Sequence, residues 1–546
     1  MRTPAVKQAV AEVVRPNRPR RSWAMLALLC AEMTTACGGP GISVTGGGAL
    51  PGDGGVSVSY ASEKPKRAAF RIDDADLHST GFGRLRFRAR DGKRPVVYIY
   101  RATGFDPHDG PIWFVMHGAK RNAKRYLAAA APVAERYRAL AVAVEFSRHD
   151  YPRGNDYTLD VTTHGRVDEN AYQEGRWRKP EDYLYAEIER LFDAVRSSLG
   201  GEQPGYYLFG HSAGAQFTHR LLTFMPDAHV LRAVAANAGW YTLPMRSKDA
   251  QFAVPYGLYG APPIDLEALL AAPLTLLLGT EDTKTPATDP LLRNTPQAMA
   301  QGVSRLQRGR NYFETGRKRA EAIDASFGWR LVSAPGAGHE VTEVIASAGF
   351  LLFSGDRTLC RPASAAEGGA LVIDEILADP PRGDRGDANR DGVRDPKADE
   401  FVEIINTGAA SLCLSGWTLS DANGRRHLFP LGPPLQPGKA VVVFGGGVPT
   451  GPFAGADIQW ASSGKGLSLS NAGDVLTLRD AGGAVVKQIS WGDCAAEACA
   501  GEKIVGRLDL SGSIVRWPEP VGDWRLHREV AGSDFSPGSR ADGSPW

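Results

Sequence analysis

Residues 206–214 read Tyr206-Tyr207-Leu208-Phe209-Gly210-His211-Ser212-Ala213-Gly214, and Ala215-Gln216-Phe217-Thr218-His219-Arg220-Leu221-Leu222 follow. An apolar, aromatic run is followed by a small-residue turn and then by a helix-compatible stretch. That order predicts strand, sharp turn, helix. A turn this tight pushes the hydroxyl of Ser212 out of the chain, and only small neighbours fit around it. Gly210 and Gly214 remove side chains where the strand and the incoming helix approach each other. A plain Gly-rich turn is the alternative reading, and the strand-to-helix position argues against it.

Working outward from this turn, short apolar runs alternate with helical patterns. Strands are predicted at 112–116, 140–146, 206–209, 233–239, 274–278 and 330–332, and helices at 122–137, 180–199 and 341–353. Continuous apolar strands separated by helices predict a parallel sheet covered on both faces. Alternating residues at 84–88 and an apolar run at 96–100 add two leading strands, the first of them half-exposed. Insertions at about 147–179, 240–271 and 283–328 interrupt the rhythm. Each follows the C-terminal end of a strand, the edge that carries ligand sites in such sheets. They are expected to form a cap or pocket walls, with Tyr172, Trp177, Trp240, Tyr241, Tyr256 and Tyr259 as candidate lining residues.

Near residue 358 the helical patterns stop. Short β-runs and Gly-rich turns take over, which predicts an antiparallel sandwich. The expected division is a signal at 1–36, a Gly-rich tether and lead-in at 37–65, an α/β domain at 66–357, a linker at 358–368 and a β-sandwich at 369–546. A chain of 546 residues needs more than one core.

The net charge of +2 has both signs interspersed, unlike the clustered basic surface of a nucleic-acid binder. The one basic cluster, Arg15, Arg18, Arg20 and Arg21, precedes an apolar run at 23–31. That run is too short to span a bilayer and fits a secretory signal. Cys37 after Ala36 resembles a bacterial lipoprotein cleavage site, although Thr34 stands where a large aliphatic residue is usual. The expectation is export, either secreted or held at the cell envelope by a lipid on Cys37. With Cys30 and Cys37 set aside, Cys360, Cys413, Cys494 and Cys499 remain. An even remainder in an exported chain suggests two disulfides. Cys494 and Cys499 are close enough for a local loop, which leaves Cys360 with Cys413, although spacing alone does not prove the connectivity.

A serine hydroxyl needs a base within hydrogen-bond reach and an acid to orient that base. Leu276-Leu277-Leu278-Gly279-Thr280-Glu281-Asp282 is a strand ending in an acidic turn, and Ser333-Ala334-Pro335-Gly336-Ala337-Gly338-His339 is a strand ending in a Gly-rich loop with a histidine. With Ser212, these elements resemble the serine hydrolases of the α/β-hydrolase superfamily over roughly residues 66–356. The similarity is nearest to secreted esterases of the polyhydroxybutyrate-depolymerase and feruloyl-esterase type. The resemblance implies Ser212 as nucleophile, Asp282 as acid in preference to Glu281, and His339 as general base. It also implies the backbone N–H groups of Ala213 and Ala119 as oxyanion donors, the latter from the loop His117-Gly118-Ala119-Lys120-Arg121. Lys120 and Arg121 are expected to be solvated, His211 to pack below the turn, and His219 to point away from the hydroxyl. The implied reaction is hydrolysis of an ester substrate, small or polymeric, without a cofactor for catalysis. A peptidase or thioesterase on the same fold, or an inactive surface-binding protein acting through the sandwich, are the alternatives.

The C-terminal region resembles the bacterial lamin-tail domain, an immunoglobulin-like sandwich. The resemblance rests on residues 372–380, 399–406 and 414–421. It implies a binding, adhesion or spacer role with a cell-surface or matrix ligand, and it makes Trp417 a core residue. Between the first two segments, Asp387, Asn389, Asp391 and Asp395 have the spacing of a calcium loop. Ala398 occupies the position of the final carboxylate, and the other reading is a solvated acidic loop.

Overall fold

The computed structural model describes residues 75–546, apart from 160, 165–175, 250–251, 356–357, 494–500, 505, 507 and 509–510. The expected signal, tether, Cys30, Cys37, Tyr172 and the Cys494–Cys499 pairing lie outside the described residues.

In chain order the N-terminal part contains β1 (Gly81–Arg86), β2 (Val96–Arg101), β3 (Ile112–Met116), α1 (Ala123–Tyr137), β4 (Leu140–Glu145), α2 (Gly154–Thr158), β5 (Thr162–His164) and β6 (Arg176–Trp177). It continues with α3 (Ala186–Leu199), β7 (Tyr206–His211), α4 (Ala213–Phe224), β8 (Val230–Ala236), α5 (Leu266–Ala271), β9 (Leu274–Gly279), α6 (Pro296–Ala300), α7 (Arg305–Ala322), β10 (Arg330–Ala334) and α8 (Val341–Phe353). Eight strands form one sheet in the order β1-β2-β4-β3-β7-β8-β9-β10. The pairs β1–β2 and β2–β4 are antiparallel, and the rest of the sheet is parallel.

Neighbouring residues of one strand face opposite helix layers, as the period of two requires. Trp113 and Tyr207 meet Phe353 of α8, whereas Phe114 stacks edge-on against Tyr206, which meets Phe192 of α3. All five residues of β3 and all six of β9 are buried, which explains why these strands read as unbroken apolar runs.

Three expectations change. The helix expected at 180–199 begins as a single 3-10 turn, Pro180–Asp182. Tyr183 is extended, and the α-helix starts at Ala186. The supposed insertion at 283–328 contains α7, which packs against β9 and β10 as the crossover helix between them. Its Tyr312 stacks between Tyr241 and Trp329. Trp240, Tyr241 and Tyr256 are buried packing residues rather than exposed pocket walls.

The C-terminal part contains β11 (Leu371–Leu377), β12 (Phe401–Asn406), β13 (Thr418–Asp421), β14 (Gly424–Leu428), β15 (Ala440–Phe444) and β16 (Asp457–Trp460). These are followed by β17 (Gly473–Arg479), β18 (Val485–Gly492), β19 (Glu502–Ile504), β20 (Ile514–Trp517), β21 (Asp523–Leu526) and α9 (His527–Ala531). They make two sheets, β16-β15-β12-β11-β20-β21 and β14-β13-β17-β18-β19. Ile404, Val441, Trp417, Leu419, Leu476 and Trp491 belong to one shared core. Trp417 is fully buried, and its indole N–H donates to Ala363 O at 3.0 Å. A Cβ on Gly368 would sit 2.2 Å from the same indole.

Residues 358–368 are therefore packed onto the sandwich and do not form a free linker. Cys360 is disulfide-bonded to Cys413, and Ala363 lies in the sandwich core.

Candidate active site

At the end of β7 the chain turns through Ser212, whose φ of 59° and ψ of −115° lie outside the ordinary basins. Strain of this kind costs about 1–3 kcal/mol and persists only where the surroundings over-determine it. The surroundings here are glycines and close backbone. A Cβ on Gly210 would lie 2.1 Å from Gly214 O, and one on Gly214 would lie 2.1 Å from Met116 O at the end of β3. The N–H of Ser212 donates to Ala236 O at 2.9 Å, tying the turn to β8.

The acidic turn after β9 and the Gly-rich loop after β10 meet this serine. His339 Nε2 is 3.1 Å from Ser212 Oγ, and His339 Nδ1 is 2.7 Å from Asp282 Oδ2. Asp282 is buried, and Nη1 of the equally buried Arg305 reaches its other oxygen at 3.4 Å. Arg305 also holds Asp289 at 2.6 Å. The competing acid, Glu281, is largely exposed and turned toward Arg425.

The loop after β3 borders the site. An added Cβ on Gly118 would be 3.6 Å from Ser212 Cβ and 2.6 Å from the Tyr126 hydroxyl, so only glycine lets this backbone approach the serine. His117 fixes the loop from inside. Its Nδ1 contacts Gly118 O at 3.0 Å, and its Nε2 accepts the N–H of Phe146 at 3.2 Å. Burial, reinforced by the charge of Arg121, pushes His117 down to about 3, so it is neutral scaffolding. Ala119 is exposed beside Gly118. Ala213 is the first residue of α4, where a helix leaves its N–H groups without intrahelical acceptors.

His211 and His219 are buried packing residues. His211 lies under His339 with ring centroids 4.8 Å apart, bonded to the Tyr126 hydroxyl, and burial holds it well below the ordinary imidazole value. His219 is buried, with Nδ1 at Ala215 O and Nε2 accepting from Thr242 N. Arg121, expected in solvent, is buried and donates to the carbonyls of Phe146, Tyr151 and Arg153. Lys120 does face solvent, as do Arg125 and Arg148. Arg148 donates to Ala119 O at 3.1 Å.

Several residues that hold the site were not singled out by sequence reasoning. Asn237 accepts the N–H of Gly279 and donates to Gly338 O, both at 2.9 Å, so it joins the acidic turn to the histidine loop. It is the polar residue in the apolar run 233–238, a signal the sequence did carry. Arg305, Glu343 and Arg425 carried no such mark.

Of the four calcium-loop residues, Asp387, Asn389 and Asp391 lie together around one backbone turn. Asp387 accepts from the N–H groups of Asp391 and Gly392, Asn389 from Asp391, Asp391 from Val393 and Val448, and Asp395 from Lys397 and Ala398. Apart from the bond from Val448, these oxygens accept from the loop's own backbone. Among the described residues, no three carboxylate, imidazole or thiol groups converge as metal ligands.

A solved structure of poly(aspartic acid) hydrolase-1 from Sphingomonas sp. KT-1 is 39% identical, covering 50% of this chain and 99% of that one, with a TM-score of 0.45. LpqC, a poly(3-hydroxybutyrate) depolymerase from Bordetella parapertussis, is 32% identical, covering 53% of this chain and 94% of that one, with a TM-score of 0.46. The chain belongs to the α/β-hydrolase superfamily. Within it, the hydrolase part is followed by a lamin tail domain, whose family model matches residues 364–493. No curated protein matches the sequence.

Proposed function

We propose that this α/β hydrolase is an exported serine hydrolase that cleaves carboxylic esters through an acyl-enzyme on Ser212. The observation that carries the reading is the unbroken hydrogen-bond series Asp282–His339–Ser212, at 2.7 and 3.1 Å, ending on a serine at φ 59°. His339 Nε2 takes the hydroxyl proton as Ser212 Oγ attacks the carbonyl carbon, and then delivers it to the leaving alcohol. Water, deprotonated by the same nitrogen, releases the acid. Asp282 holds the tautomer that keeps Nε2 free to accept, and the N–H groups of Ala213 and Ala119 receive the developing oxyanion. No step calls on a cofactor. Export is part of the proposal and rests on the Arg15–Ala31 pattern and on the Cys360–Cys413 disulfide, a bond typical of oxidising compartments. Among the described residues, no helix is long and apolar enough to cross a membrane.

A second reading, hydrolysis of an amide in an anionic polymer, is favoured by two observations. One relative is a poly(aspartic acid) hydrolase, and exposed Lys120, Arg125 and Arg148 lie around the oxyanion loop and the histidine.

Fluorophosphonate labelling tests the nucleophile. Wild type should be labelled at Ser212, and Ser212→Ala should take no label and lose roughly 10⁶-fold in kcat with its melting temperature retained. A fully active Ser212→Ala would end the proposal. Aliphatic nitrophenyl esters, feruloyl esters, polyester film and poly(aspartic acid), offered in parallel, separate the two substrate readings.

A further inference from the structure

The histidine loop, residues 335–340, is held from the hydrolase side by a few contacts. Gly336 N–H donates to Thr280 Oγ1 at 2.8 Å, Glu281 N–H to Ala337 O at 2.9 Å, and Asn237 Nδ2 to Gly338 O. The N–H of Gly338, next to His339, donates to Glu343 Oε2 at 2.7 Å. Glu343 is in turn held by a residue of the other domain. Arg425, on β14 of the sandwich, reaches Glu343 Oε1 at 2.5 Å with one guanidinium nitrogen. Its other terminal nitrogen donates to Gly336 O at 2.8 Å and lies 3.4 Å from Glu281, the neighbour of Asp282. One planar fork therefore grips the start of the loop, the carboxylate that holds Gly338 and the adjoining acidic turn, a geometry suited to arginine.

The grip has a packed base. Leu428, on the same strand, has a methyl group 3.0 Å from where a Cβ on Gly336 would stand, and Gly336 has φ +71°. A Cβ on Gly416 would lie 2.6 Å from Pro335 Cβ. Thr342, in the first turn of α8, donates to Ser462 O at 2.6 Å, and Ser462 Oγ accepts the N–H of Leu428. The adjacent Arg426 points inward and pairs with Asp421 of its own domain. Of two neighbouring arginines, one belongs to the sandwich and the other to the hydrolase loop.

We propose that the lamin tail domain is a working part of the hydrolase, with Arg425 as a positioning residue that keeps His339 in register on Ser212 through Gly336, Glu343 and Glu281. The inference rests on the serine-hydrolase reading above. Its chemical content is geometric: the imidazole must hold a hydrogen bond to both Asp282 and Ser212, and displacement by about 1 Å costs on the order of 10²-fold. Arg425 touches no reacting atom.

The test uses the full-length protein, with fluorophosphonate labelling of Ser212 and with kcat and KM on a nitrophenyl ester. Arg425→Ala should lower the labelling rate and kcat together by about 10-fold or more, with KM within about twofold. Arg425→Lys, which keeps one donor and the charge, should recover part of the loss. Glu343→Gln should also be slow, and Arg425→Ala added to it should cost less than it does in wild type, because the two act through one connection. Arg136→Ala removes a different cross-domain ion pair, with Asp457, far along the chain from the histidine loop, and should leave both rates unchanged. If Arg425→Ala does not fold, Glu343→Gln and Arg425→Lys decide. Wild-type labelling and kcat in Arg425→Ala, or an equal loss in Arg136→Ala, would overturn the clamp while leaving the hydrolase intact. A wild type that takes no label at Ser212 would remove the hydrolase reading and the clamp with it.

Discussion

In the proposed mechanism the serine turn and the histidine loop present the two halves of one proton relay, yet they are built by different means. Around Ser212 the tightest exclusions include sequence neighbours, Gly210 against Gly214 and Thr218, with the ends of β3 and β8 closing on the turn. Around His339, apart from the nearby Glu343, the supports come from elsewhere in the chain: Asn237, Thr280 and, from the other domain, Arg425 and Leu428. A conformation dictated by local steric exclusion travels with its short motif. A conformation assembled from remote hydrogen bonds depends on the whole molecule.

After the loss of Ser212 itself, the largest effect should come from the acid that the two halves share. Asp282→Asn keeps the shape but reverses what the acid can accept, and it should lower kcat by roughly 10⁴-fold without lowering the melting temperature by more than a few degrees. Retained activity in that variant would break the pairing of the two halves. Next in size is the staple beside the sandwich contacts. Cys360 and Cys413 close a loop of 53 residues, so Cys360→Ser with Cys413→Ser should remove about 4 kcal/mol of unfolding free energy, read by denaturant titration. An unchanged midpoint would mean the sandwich side needs no such tie.

The smallest effect is a pH slope. Burial pushes Asp374 and Glu400 of the sandwich up to about 8. The folded state therefore keeps protons that the unfolded state releases near the ordinary carboxylate value. Stability conferred by these groups is lost as pH rises toward about 8. Buried His117 and His427 are pushed down to about 3 and about 4, and they act in the opposite direction only below the ordinary imidazole value of 6.5. Between pH 6.5 and 8 the acids set the sign. The melting temperature should fall across that window, with these two groups contributing roughly 3 kcal/mol. A rise would contradict the buried-acid account and sharpen attention on the hydrolase half.

The same contrast explains what the sequence revealed. The parallel strands were legible because burial on both faces forces unbroken apolar runs, and the serine turn because glycine alone fits there. The acidic turn and the histidine loop were legible from their places at strand ends, and the structure brings Asp282 and His339 within hydrogen-bond distance. The crossover helix α7 was not, and its buried stripe shows why. Arg305, Arg308, Gly309, Tyr312, Phe313, Gly316 and Ala320 repeat at helical spacing but share no common polarity. Arg308 is buried by donating to the carbonyls of Gly302, Gly239 and Arg293, partners that no local pattern announces. Arg305, Glu343 and Arg425 were hidden for the same reason. Each looks like an ordinary surface charge until the fold brings its partner to it.

The burial of Trp417 under the segment from Cys360 to Gly368 bears on any attempt to take the protein apart. A cut after that segment would strip the sandwich of its lid and its covalent staple, whereas a cut before it would leave α8 and the loop ahead of it facing water. The seam between the two halves has no neutral position, so swapping either half with that of another protein would have to carry its mate's contact surface along.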